Sequence, residues 1–352
     1  MRGPGRVGQV IPVMQVDALR AAANAEPSSE SAGAQLAAVT QLLSEVLPRL
    51  EVLIREATDG PQPLDAAAHH LVAAGGKRVR PLAALLMTRA SGGDPAGALH
   101  VAAAAELIHS ATLLHDDVID EGEERRGRPA SRVLWGNLVS VLGGDLLLTR
   151  ALQLVDGAGV PGVMGDLLST LERLVGGEVE QLKARGREDL GLRGYLDVVE
   201  GKTASLFGFA CRGGARVAGR EDLVEPAGEF GEKVGVAFQV IDDVLDLAGD
   251  PERVGKRLGA DLAEGKTTLP LVFALETDRA AIAALLPAAR AGDLEASHAV
   301  SRHPAVREGC ARAHAFARDR SDEALALLDQ FPDARARDLL RKLAAALTHR
   351  EQ

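Results

Sequence analysis

The 352-residue sequence predicts an all-α protein, and three observations carry that expectation. Aromatic residues make up only 3% of the chain, whereas alanine and leucine, both strong helix formers, are abundant. Apolar residues recur at helical spacing over long stretches, with glycine and proline as punctuation. No Val/Ile-rich segment alternates with period two, so no strands are expected.

Residues 1–33 contain Gly, Pro and Ser clusters, notably over 26–31, and read as a flexible N-terminal extension with a short helix near 16–23. Residues 34–352 read as a single all-α domain. Helices are expected over 35–57, 64–74, 79–91, 95–120, 131–156, 163–185, 193–218, 222–248, 267–276, 303–330 and 333–349. Gly75-Gly76 suits a helix end and Asp94-Pro95 a helix start. The stretch Val101 to Leu114 is very apolar, but Glu106 and His109 interrupt it, so it reads as a buried helix and not a membrane span.

Composition narrows the function. The formal net charge of −10 excludes a global basic footprint for nucleic acid. Any anion must be held by a local basic cluster or by a bridging metal. Cys211 and Cys310 form no C-x-x-C pair and read as ordinary buried thiols in a reducing cytoplasm. The N-terminus has arginines but no long apolar segment of a secretion signal.

Two aspartate clusters stand out, Asp116-Asp117-Val118-Ile119-Asp120 and Asp242-Asp243-Val244-Leu245-Asp246. Each follows an apolar stretch, where unpaired carboxylates are rarely found. Residues i and i+4 share a helix face, so Asp116 projects with Asp120, and Asp242 with Asp246. Such pairs repel unless a cation lies between them, and Mg²⁺ suits hard oxygen ligands. Stepping back from Asp120 and Asp116, Thr112, His109 and Ala105 continue one face. Gly231, Gly235, Gln239, Asp242 and Asp246 form the corresponding face of the second helix. His115 adjoins the first cluster but points elsewhere, which suits a supporting hydrogen bond.

Cations follow both clusters: Arg125, Arg126 and Arg128 after the first, Lys256 and Lys266 after the second. A third basic group, Lys77-Arg78-Val79-Arg80, follows the glycine pair and could clamp phosphate. Gly201-Lys202-Thr203 places a cation and a hydroxyl within an apolar helix. The segment 260–267 fits a relaxed phosphate-loop pattern, but no strand precedes it, and Asp261 and Glu264 would put negative charge inside the cradle.

The chain resembles the trans-isoprenyl diphosphate synthases, or polyprenyl synthetases, of the long-chain type. The matching segments are GGKRVRP at 75–81, IHSATLLHDDVID with RRGRP between 108 and 129, GKTASL at 201–206, FQVIDDVLDLAGD at 238–250 and DLAEGKTTLP at 261–270. They occur in the family's order and span nearly everything from about residue 40 onward. The resemblance implies an isoprenoid-synthase-type helical bundle around a central cavity, usually a homodimer. It implies a Mg²⁺-dependent head-to-tail condensation of isopentenyl diphosphate with an allylic prenyl diphosphate, with three magnesium ions beside the bound diphosphate. Asp116, Asp120 and Asp242 would hold metal, with Asp117, Asp243 and Asp246 beside them. Arg125, Lys202, Thr203, Gln239, Lys256 and Lys266 would contact or neutralise the allylic diphosphate. Lys77, Arg80, His109 and Arg126 would take isopentenyl diphosphate. Asp116, Asp120, Asp242 and Lys202 are thus the candidate catalytic residues.

Product length is argued from the helix behind Asp116, where every four residues descend about 6 Å. Ala111 is small where short-chain members often carry an aromatic residue, and Ile108 and Ala104 lie further down the same side. The open upper wall favours a product of C30 or longer over a farnesyl or geranylgeranyl one, with the floor supplied by another helix. The linker Glu121-Gly122-Glu123-Glu124 is more acidic than is usual in the family, and Arg257 replaces a frequent proline. A class I terpene cyclase is the alternative reaction, and a non-catalytic partner subunit the alternative role. The cyclase is disfavoured by the complete second cluster and by Lys77, Arg80 and His109.

Overall fold

The computed structural model describes residues 43–248 and 259–348. The N-terminal extension, the start of the first expected helix, Lys256 and Arg257 lie outside the described residues. The fold opens with α1 (Leu47–Glu56), α2 (Leu64–Ala73) and α3 (Val79–Ala90). A single 3₁₀ turn at Pro95–Ala98 then leads into α4 (Leu99–Ile119). Asp94 caps that turn, its carboxylate accepting from the Ala96 N–H at 3.0 Å. The small run Ala102 to Ala105 lets neighbouring helices approach α4 closely. Leu107 and Ile108 are buried beside it and contribute roughly 1.5–3 kcal/mol each by transfer from water.

Helix α5 (Ser131–Ala158) packs along α4 and bends at Gly136, whose φ of 83° only glycine adopts readily. Next come α6 (Val163–Ala184), α7 (Gly191–Val199), a π-helical turn at Glu200–Ala204, α8 (Ser205–Val217) and α9 (Val224–Ala248). The last third comprises α10 (Ala260–Ala263), α11 (Leu269–Thr277), α12 (Arg279–Arg290), α13 (Leu294–Arg302), α14 (Pro304–Leu327) and α15 (Ala334–Thr348). Helix α11 is apolar all round and is buried accordingly.

The helices enclose two apolar cores, and α9 passes from one into the other. Val224, Ala227, Phe230 and Val234 join α1–α6, α8 and α15 in the first. Val236, Val240, Ile241, Val244 and Leu247 join α7, α11, α12 and α14 in the second. The second aspartate cluster is therefore carried at the end of a helix anchored at both ends.

The all-α class holds, with four differences in detail. A two-residue ribbon, β1 (Glu124–Arg125) with β2 (Arg128–Pro129), closes the turn after the first cluster, where no strand was expected. It forms because Arg126 and Gly127 both take positive φ, the geometry of a tight hairpin. The helix expected over 193–218 is broken by the π turn. Residues 279–302, left without an element, form α12 and α13, each started by an aspartate cap: Asp278 accepts from the Ala281 N–H, and Asp293 from those of Glu295 and Ala296. The first expected helix begins, within the described residues, only at Leu47.

Two helical segments, Pro95–Ile119 and Ser131–Ala158, are long and apolar enough to cross a membrane by length and composition. Neither contains an uninterrupted run of 18 apolar residues. The first lies mostly inside the bundle. The second turns Val133, Leu134, Leu138, Val141 and Leu142 outward.

Candidate active site

The two aspartate clusters end α4 and α9, and the π turn between α7 and α8 joins them. Lys202 Nζ lies 3.3 Å from Asp116 Oδ2. Its neighbour Thr203 donates its hydroxyl to Gln239 Oε1 at 2.9 Å, and Gln239 Nε2 donates to Asp243 Oδ1 at 2.8 Å. One π turn thus contacts the first cluster through one residue and the second through the next. The extra residue of a π turn alters the angular step between side chains, which is how two consecutive positions serve two helices. The turn is pressed against α6: a Cβ on Gly177 would sit 2.5 Å from the Lys202 nitrogen, and one on Gly201 would sit 2.8 Å from the Gly177 Cα. That crossing places Glu178 Oε2 2.5 Å from Lys202 Nζ.

At the first cluster each aspartate meets a cation. Asp116 meets Lys202, and Asp120 is paired with Arg185. Asp117 turns inward, 1% exposed, and accepts from Arg125 Nε and Nη2 at 2.9 and 2.6 Å. Burial raises the pKa of Asp116 and Asp117; Lys202 opposes the shift at one, Arg125 at the other. Raised proton affinity in carboxylates beside like charges is also what makes a divalent cation welcome there.

At the second cluster Asp243 is 3% exposed. Its other oxygen accepts from the Tyr195 hydroxyl at 2.6 Å. Burial and the charge of Asp261 push its pKa up to about 8, against the two hydrogen bonds. Asp242 and Asp246 are half-buried, and Asp246 Oδ2 accepts from the Asp261 N–H at 3.1 Å. Lys266 lies 3.2 Å from Asp261 and 2.5 Å from Glu264. Burial works against its charge, but those carboxylates and Asp120 raise its pKa overall. No phosphate loop forms at 260–267: a four-residue helix, Ala260–Ala263, is flanked by the positive-φ residues Gly259 and Gly265.

A basic pocket lies beside the clusters. Arg80 is 8% exposed and stacks over Phe207 at 4.7 Å, with its Nε lacking a partner. Burial lowers its pKa to about 10, against the pull of Glu106 and Asp242. His109 is held well below its usual range, first by burial and then by Arg80, Arg126, Arg125 and Arg78. A neutral imidazole among four guanidinium groups marks a site built for an anion. Arg126 donates to the Gly75 carbonyl, which ties the ribbon to the 75–81 loop. Lys77 on that loop is exposed. Arg78 is structural: it takes φ of 51° and bridges Glu51 at 2.9 Å and Glu106 at 2.7 Å.

Ala111, Ile108 and Ala104 are buried on the flank of α4 that also carries His115. His115 Nε2 lies 3.1 Å from the Val141 carbonyl and packs against Gly144, so this flank faces α5. Sequence reasoning missed Glu178, Arg185 and Tyr195, which reach the clusters from α6 and α7. Only the glycine pair before Glu178 and the uniqueness of Tyr195 in the chain hinted at them.

Among the described residues no three His, Cys, Asp or Glu side chains converge on one point. The donor set still fits Mg²⁺, which usually takes one or two carboxylates and completes its shell with water and substrate phosphate. Asp116, Asp120, Asp242 and Asp246 provide such oxygens.

The model of the polyprenyl synthetase family matches residues 61–301. Heptaprenyl diphosphate synthase component 2 of Geobacillus stearothermophilus is 40% identical over 322 residues, 90% of this chain and 99% of its own length. Octaprenyl diphosphate synthase of Escherichia coli K12 is 34% identical over 310 residues, 85% and 94% of the two chains. A crystal structure of polyprenyl synthase from Caulobacter crescentus CB15, complexed with calcium and isoprenyl diphosphate, superimposes with a TM-score of 0.83. It is 34% identical and covers 90% of this chain and 98% of its own. The aspartate helices, the π turn between them and these matches agree: the chain belongs to the polyprenyl synthetase family.

Proposed function

We propose that the protein is a prenyltransferase, a polyprenyl diphosphate synthase that condenses isopentenyl diphosphate head-to-tail with an allylic prenyl diphosphate. The π turn carries the reading, because Lys202 contacts the first cluster and Thr203, through Gln239, the second, so that one diphosphate would be met from both. Asp116, Asp120 and Asp242 would hold magnesium, three ions with the bound diphosphate, with Asp246 supporting the second cluster. Those ions, when bound, supply charge that stabilises the leaving pyrophosphate.

The chain's own residues do the rest. Lys202, Lys266 and Arg125 add fixed positive charge around the allylic diphosphate as its C–O bond breaks. Thr203 and Gln239 orient that group. Lys77, Arg80, His109 and Arg126 hold isopentenyl diphosphate so that its double bond faces the allylic carbon. The alkene forms the new C–C bond, and its C2 proton leaves to the departing pyrophosphate. The condensation requires water to be kept from the allylic cation, which it would otherwise trap. The basic pocket favours two diphosphates over the single one that a terpene cyclase needs.

The product is long-chain, C30 or beyond. The observation behind this is the small, buried flank Ala111, Ile108 and Ala104, together with kinship to heptaprenyl and octaprenyl synthases. The test is purified protein with Mg²⁺, labelled isopentenyl diphosphate and C5, C10, C15 or C20 primers. Products of C30 or longer are expected, shortened by Ala111→Phe. Farnesyl or geranylgeranyl products would make it a short-chain synthase, and hydrocarbon from allylic substrate alone would make it a cyclase.

The active form is read as a homodimer. Leu168, Val175, Val179 and Leu182 on α6 form an exposed stripe, as do Leu134, Leu138, Val141 and Leu142 on α5. Sedimentation should give twice the chain mass, and Leu138→Arg should lower it. Activity only after a second polypeptide is added would instead make this chain one component of a two-part enzyme. The buried, unpaired Cys211 and Cys310 suit a cytoplasmic setting.

A further inference from the structure

The end of α6 carries a cation that the condensation described above does not use. Arg185 follows α6 directly, is 34% exposed, and donates Nη2 to Asp120 Oδ1. At the first cluster Lys202 rests on Asp116, Arg125 on Asp117 and Arg185 on Asp120. Lys202 and Arg125 are already assigned to the allylic diphosphate. A cation resting on an aspartate here is thus a cation of the substrate site, and Arg185 stands in the same relation.

We propose that Arg185 is a further diphosphate-binding residue, which occupies Asp120 until a metal ion takes that carboxylate and then turns onto the allylic diphosphate. The inference rests on the synthase reading. Arg185 rests on Asp120 Oδ1, so a metal ion drawing on that oxygen would compete with the guanidinium for it. A diphosphate held through a metal ion at Asp120 would lie beside the guanidinium that now rests on that carboxylate. The Arg185 side chain is free to turn onto it, because the surrounding loop is held by other groups. Gly186 N–H donates to the Gly265 carbonyl at 2.8 Å, Thr267 Oγ1 to the Arg187 carbonyl at 2.6 Å, and Arg290 Nη1 to the Gly186 carbonyl at 3.1 Å. These bonds also keep Arg185 beside the residue preceding Lys266, so two cations arrive at the diphosphate from one loop pair.

The experiment is calorimetric titration of the full-length protein with inorganic pyrophosphate in saturating Mg²⁺, using wild type, Arg185→Gln and Arg185→Lys. Arg185→Gln should bind about tenfold more weakly, since it loses one partly exposed charge-assisted hydrogen bond. Its unfolding midpoint should stay within about 2 °C of wild type. Arg185→Lys should recover most of the affinity, and Mg²⁺ alone should bind Arg185→Gln no more weakly than wild type. Equal pyrophosphate affinity in wild type and Arg185→Gln would overturn the assignment. So would a loss that comes with a large drop in midpoint and is not restored by lysine. If wild type itself fails to bind magnesium pyrophosphate, the synthase reading falls, and Arg185 with it.

Discussion

At the first aspartate cluster all three carboxylates rest on cations; at the second, the middle carboxylate rests on neutral donors. In both, the middle aspartate is the most deeply buried, Asp117 at 1% and Asp243 at 3%. Helix geometry explains the shared part: with i and i+4 facing the cleft, i+1 is turned about 100° away, into the protein. The surroundings explain the difference. Asp117 meets Arg125 from a surface ribbon, whereas Asp243 meets Tyr195 and Gln239 inside the second core. The same five-residue pattern thus gives a cluster whose charges can be exchanged and a cluster whose middle residue is locked.

The largest expected effect tests the shared part. Asp116→Ala and Asp242→Ala should each lower turnover by about 10³-fold or more, with the circular dichroism spectrum unchanged. A much smaller loss in one of them would break the equivalence of the clusters. Gly177→Ala comes next, because its Cβ would meet the Lys202 nitrogen at 2.5 Å and push α6 off the π turn. Overpacking of this kind costs about 1–3 kcal/mol, and because both clusters hang from that turn, kcat should fall without a matching rise in KM. Wild-type kinetics and stability in that variant would mean the crossing is looser than described.

Tyr195→Phe probes the locked residue alone. Removing a donor to the buried Asp243 side chain should cost about 1–3 kcal/mol in a denaturant titration. Arg125→Ala at the exchangeable cluster should cost less, about 1 kcal/mol, because that arginine is a third exposed. The reverse order would invert the comparison. The smallest effect is a slope with pH. Folded Asp243 keeps its proton to about pH 8, whereas the unfolded chain releases it near pH 4. The folded state then binds more protons across that window, so stability of the metal-free protein falls as pH rises through it. Asp243→Asn should flatten the slope, read as the urea midpoint between pH 5 and 8.

In both clusters the face-sharing carboxylates are easier to read from sequence than the partners that fold against them. Asp116, Asp120, Asp242 and Asp246 follow from helical spacing, and the cations after them from proximity along the chain. Tyr195, Glu178 and Arg185 lie 48, 62 and 65 residues from the carboxylates they serve, directly or through Lys202. No periodicity encodes such a pairing; it exists only once α6 and α7 pack. Arg78 shows the converse. It sits among phosphate-seeking neighbours in sequence, yet Glu51 and Glu106 claim it for the framework. Helices α12 and α13 escaped notice because Pro287 within α12 reads as a breaker and α13 is only nine residues long.

The crossing of Gly177 over Gly201 has no side chain in it. The spacing of α6 from the turn that carries Lys202 and Thr203 is therefore set by main-chain atoms in contact, a ruler with no adjustable part. The flank of Ala111, Ile108 and Ala104, by contrast, is made of buried side chains that single substitutions can recut. In a synthase whose product runs along that flank, length would change while that spacing stays fixed.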